Sequence, residues 1–227
     1  MTVTTTTLTR AAGISAAVAG AIFIGVQVNH PAMELSSVDT TEWAVRNTAK
    51  VVMAALALAG ITGMYLRQVR QMGVLGLIGY VLFSAGLLVM LSVAFVAGYV
   101  LPSLVDVAPG YVDDVLTAAA GGTPAGDIGS MQGAFLASAL GYVGGGLLFG
   151  IALFRAGILA RWAAALLAVG TTATLALAVL PHSFDRPFAV PTGVALIGLG
   201  VSLWRDQQHT RPEPSMAEAR VEQPAVR

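Results

Sequence analysis

The chain has 227 residues, 56% of them apolar and 11% charged, with a formal net charge of zero. An average soluble domain carries roughly 25% charged residues, so a soluble globule could not hide this much apolar surface, and the balanced charge excludes the basic stripe that nucleic-acid binding requires. Cysteine is absent, which removes disulfides, thiolate nucleophiles and Cys-based zinc or iron–sulfur sites, and no cofactor is expected.

Six apolar stretches follow one another, at 11–29, 49–66, 72–101, 128–154, 157–180 and 187–204, each near the roughly 20 residues that cross a hydrocarbon layer. They predict an all-α fold, a six-helix transmembrane bundle over 11–204 between a short tail at 1–10 and a polar tail at 205–227. That last tail holds Pro212, Pro214 and Pro224 and reads as disordered. The Thr-rich start resembles a signal peptide, but no small-residue cleavage site follows before Asn29, His30 and Pro31, so the first stretch reads as a retained helix. The second helix is expected to begin ahead of its apolar run, with Asp39 and Glu42 as a capping box, Glu42 and Arg46 one turn apart, Trp43 at the interface and Lys50 snorkelling from that end. The third stretch, about 45 Å long if wholly helical, must tilt, kink or project. A short interfacial helix is expected over Tyr111 to Ala120. The sixth stretch carries Pro187 near its start, with Pro191 costing one hydrogen bond.

Positive charge near helix ends is retained in the cytoplasm. With both ends inside (N-in and C-in), the inner segments hold Arg10, Arg67, Arg70, Arg155, Arg161, Arg205, Arg211, Arg220 and Arg227, and the outer segments hold only Arg46, Lys50 and Arg186. Most acids fall outside. Eleven arginines against one lysine, with heavy use of Ala, Gly and Val, point to a high-GC bacterial source and hence to a bacterial plasma membrane.

Membrane helices associate through close packing of small residues, because lipid tails are as apolar as leucine. Small residues recur at four-residue spacing: Gly13, Ala17, Ala21 and Gly25; Ala55, Ala59 and Gly63; Gly133, Ala137, Gly141 and Gly145; Ala160, Ala164 and Ala168. Gly133, Gly141 and Gly145 are the expected packing positions of the fourth helix, placed near the bundle centre. An Ala- and Gly-rich chain also makes such ladders by chance.

The turn Phe154-Arg155-Ala156-Gly157-Ile158-Leu159-Ala160-Arg161-Trp162 lies between two apolar runs over 147–180. It resembles a loop of uncharacterised bacterial multi-pass membrane proteins grouped as a domain of unknown function, with Ala160 where that grouping usually has Pro. The resemblance implies a multi-pass membrane protein and carries no catalytic residue. Arg155 and Arg161 have a sufficient explanation as positive-inside anchors.

No ionisable residue lies in the middle of any apolar run, which disfavours a proton-driven pump, and the short loop between the second and third helices leaves no room for the coupling helix of an ABC permease. Gln27, Ser84, Ser92, Gln132, Ser138, Thr171, Thr172 and Thr174 are expected to bond between helices. Chemistry could gather at the outer face, where each outward-running helix ends on proline followed by an acid: Pro31 then Glu34, Pro102 then Asp106, and Pro181 then His182 and Asp185. The last two of these segments are alike enough to hint that the 2–3 and 4–5 hairpins are repeats, with coincidence as the alternative. His30, Glu34, Asp106, His182, Asp185 and Arg186 are therefore the ligand or metal candidates, since imidazole with carboxylate suits a divalent ion. Two histidines at membrane–water boundaries are more often solvated caps. The leading expectation is a non-enzymatic binder of lipid or a small apolar ligand, or a partner of another membrane protein. Facilitated transport of an uncharged molecule and an outward-facing metal-dependent enzyme are the alternatives.

Overall fold

A computed structural model describes residues 4–28, 30–175 and 188–209, and within them the chain is helical with no strand. The elements are α1 (Thr5–Gly25), α2 (Leu35–Val38), α3 (Thr41–Arg67), α4 (Val69–Phe95), a π turn (Val96–Val100), α5 (Leu101–Leu104), α6 (Pro109–Ala119), α7 (Ser130–Ala156), α8 (Arg161–Ala173) and α9 (Ala189–His209). Four helical stretches, Thr5–Gly25, Thr41–Arg67, Val69–Leu104 and Ser130–Ala156, are long and apolar enough to cross a membrane.

Boundaries are set by caps that composition alone blurs. Helix α1 starts earlier than residue 11, because Thr4 Oγ1 accepts from Thr7 N at 3.2 Å. For α3 the cap is Thr40, whose Oγ1 accepts from Trp43 N, and Asp39 instead closes the single turn of α2. Helix α9 runs past the expected boundary at 204. Pro191 falls in its first turn, where a missing N–H breaks no intrahelical bond, so the expected loss does not occur. The short helix foreseen over 111–120 is α6.

The long third stretch resolves its excess length by two breaks. Gly73 takes φ 57°, ψ −157°, a conformation that side chains disfavour, and separates the first turn of α4 from the rest. Further on, the π turn sends Leu101 N back to Val96 O, one residue further than an α-helical bond would reach, just before Pro102. Ala97 O is thereby released, and the indole N–H of Trp43 donates to it at 2.7 Å. Trp43 is 2% exposed, a buried anchor of the fold. Around it Val38, Leu101, Val112, Val115, Leu116 and Ile128 form a second apolar cluster, a cap made by α2, α5 and α6 on one end of the bundle.

Among the described residues, α1, α3, α4, α7, α8 and α9 close into an antiparallel ring in which each packs on the next and α9 returns to α1. Glycine makes the closest seams. On α1 and α9, a Cβ at Gly13 would meet Gly200 O at 2.7 Å, and one at Gly20 would meet Gly193 O. On α4 and α7, a Cβ at Gly86 would meet Tyr142 N and one at Gly145 would meet Phe83 N. Gly141 lies against Gly86, whereas Gly133 and Gly25 face open space. Ala55 and Ala59 are exposed, and α3 packs instead through Ala54, Ala57, Gly60, Ile61 and Met64.

The centre of the ring is filled. Phe23 of α1 reaches Tyr142 of α7 with ring centroids 6.4 Å apart, Phe83 stands 5.9 Å from Tyr142, and Tyr142 Oη donates to Thr192 Oγ1 of α9 at 3.0 Å. Thr171, Thr172, Thr174 and Ser92 do not bond across helices as expected; each hydroxyl donates to a carbonyl of its own helix. Backbone carbonyls three or four residues back are simply nearer than any neighbouring helix.

Candidate functional site

The antiparallel ring sorts charge by end. Arg10, Arg67, Arg70, Arg155, Arg161 and Arg205 lie at the end where α1 and α8 begin and α3, α7 and α9 finish. Glu34, Asp39, Glu42, Asp106, Asp113, Asp114 and Asp127 lie at the other, with Arg46 and Lys50. Each end has its own tie. At the acidic end Arg46 pairs with Glu42 at 2.7 Å and also donates to Val26 O at 3.1 Å, fastening the close of α1 to α3. At the basic end Arg67 Nε donates to Asp206 Oδ2 at 2.7 Å, joining α3 to α9.

Of the six outer-face candidates, His182, Asp185 and Arg186 lie outside the described residues, as does one of the two segments behind the repeat reading. His30 is engaged at both ring nitrogens: Nδ1 lies 2.8 Å from Pro31 O and Nε2 lies 3.0 Å from Lys50 Nζ. An ammonium can only donate, so Nε2 accepts and Nδ1 carries the proton that goes to Pro31. Glu34 and Asp106 are exposed. Among the described residues no group of three His, Asp or Glu side chains is placed to hold a metal ion.

A different feature stands at the basic end. Gly157, with φ 66°, stops α7, and the chain crosses to α8 through Ile158, Leu159 and Ala160. Arg161 turns its guanidinium over the Phe154 ring at 5.9 Å, and Ala160 N donates to Ser202 Oγ of α9 at 3.0 Å. Trp162 lies across Gly198, where a Cβ would strike its ring. Between these elements opens a groove of about 550 Å³ on the outside of the ring. Ile158, Trp162, Val194, Ile197, Gly198 and Val201 give it apolar walls, and Ser202, Arg205 and Asp206 close one end. Sequence reasoning missed it, because Arg161 and Arg205 count there only as topology markers. The signal available was Trp162 beside Arg161 at one helix start and Trp204 beside Arg205 at another helix end.

Deeper at the same end, Gln68 sits fully buried in the turn between α3 and α4, and neither its Nε2 nor its Oε1 finds a partner among the described residues. An unpaired buried amide costs about 1–3 kcal/mol. Gln68→Met, of similar shape, is expected to raise the thermal midpoint in detergent; a lowered midpoint would show that the amide is bonded in solution.

No family model, curated protein or solved structure matches this chain.

Proposed function

We infer that this is a six-span protein of a bacterial plasma membrane, with both ends in the cytoplasm, that binds lipid or another small apolar molecule or docks a second membrane protein. The observation that carries the binding reading is the contrast between a ring centre closed by Phe23, Phe83, Phe149 and Tyr142 and an apolar groove that opens sideways. A transport path would have to displace those central rings. The topology is supported by the segregation of arginine and acid between the two ends, and by the antiparallel seam of α1 on α9, which brings Arg10 and Arg205 to the same side.

The naturally Cys-free chain permits a direct test. Single cysteines at Thr4, Asp113 and Gln207 are expected to react with an impermeant maleimide in intact cells only at Asp113. Labelling at Thr4 or Gln207 would reverse or break the topology. For the binding reading, a photo-cross-linkable lipid that labels nothing above background, with no co-purifying protein, would remove its support.

A further inference from the structure

We propose that the groove between α8 and α9 holds one acyl chain of an anionic phospholipid from the cytoplasmic leaflet, with the lipid phosphate at Arg205. This rests on the membrane topology and binding reading above and adds the site, the lipid class and the residues. The dimensions agree. Arg205 lies eleven positions beyond Val194, about 16 Å along a helix at 1.5 Å per residue. One leaflet of a hydrocarbon core about 30 Å thick is about 15 Å deep, so a chain whose headgroup lies at Arg205 ends near Val194.

The chemistry changes along the groove as it changes along a lipid. Val194, Ile197 and Val201 offer branched apolar side chains, and Gly198 leaves a flat floor beneath the Trp162 ring. At the charged end, Ser202 Oγ accepts from Ala160 N, so its hydroxyl proton remains to be donated to a phosphate or ester oxygen. The Asp206 carboxylate is held by Arg67, which leaves Arg205 to set the charge of that end. Trp162 and Trp204 are exposed at this level, where indoles sit between hydrocarbon and headgroup. A zwitterionic lipid carries its own cation beside the phosphate and gains less from this cluster.

The test uses the full-length protein in detergent, incubated with phosphatidylglycerol or phosphatidylcholine and examined by native mass spectrometry. One phosphatidylglycerol is expected to be retained, about fivefold or more over phosphatidylcholine. Arg205→Gln is expected to abolish the preference, and Val194→Trp, which fills the apolar end, to lower retention of both lipids. Equal retention of the two lipids, or a preference that survives Arg205→Gln, overturns the assignment while leaving a lipid-binding protein. Retention of neither by the unaltered protein overturns the lipid reading as well. Should the variants misfold, acyl-brominated lipids in vesicles test the unaltered chain: stronger tryptophan quenching by phosphatidylglycerol supports the site, and equal quenching by both lipids overturns it.

Discussion

Gly145→Leu is expected to lower the melting temperature in detergent far more than Gly144→Leu one position along the same helix. A Cβ at Gly145 would meet Phe83 N and Phe83 Cα of α4, which are backbone atoms and cannot rotate away. At Gly144 a Cβ would meet no atom of the described residues within 4 Å beyond its own stretch of helix. Overpacking typically costs ~1–3 kcal/mol, and a leucine pressed against a neighbouring backbone lies at the upper end, because the two helices must separate along their whole seam. The open site should stay within about 0.5 kcal/mol. Thermal unfolding of the two purified variants decides the matter; equal midpoints would mean that α4 and α7 do not meet at Gly145.

Removal of Trp43 should be the other large effect, and two variants separate its causes. Trp43→Phe keeps most of the buried ring but strands the carbonyl of Ala97, which the π turn has already withdrawn from its helical partner. A buried acceptor left unpaired costs about 1–3 kcal/mol. Trp43→Ala adds a cavity in the cluster of Val38, Leu101 and Val112 and should cost about 3–5 kcal/mol in total. Because that cluster caps one end of the ring, both variants should also speed proteolysis in the connection between α6 and α7. A Trp43→Phe protein with unchanged stability would show that Ala97 O is satisfied by another group.

The helix packing was only partly legible in the sequence, and the small-residue ladders show why. Ladders read at strict four-residue spacing named Gly141 and Gly145, which lie in the α4–α7 seam, together with Gly133 and Gly25, which face open space. At 3.6 residues per turn each four-residue step rotates about 40° around the helix, so a ladder four residues long per rung leaves the packed face after two or three rungs. The real seams mix spacings of three, four and seven, as in Gly13, Ala16 and Gly20. Likewise Asp39 and Thr40 are both good caps, and only the preceding turn of α2 decides that Thr40 caps α3.

Local chemistry by itself determined that this chain is helical and membrane-borne, because uninterrupted apolar runs of that length have no other way to satisfy their backbone. It also determined the division of arginine and acid between segments, which is a property of position along the chain. Tertiary structure decided what periodicity cannot carry: that α9 returns to α1 to close a ring, that aromatic rings fill its centre, that a π turn frees one carbonyl for Trp43, and that Arg205 stands at the end of an apolar groove. Those features depend on which faces of distant helices meet. Contacts between residues such as Ala160 and Ser202 follow from the whole packing and from no local pattern.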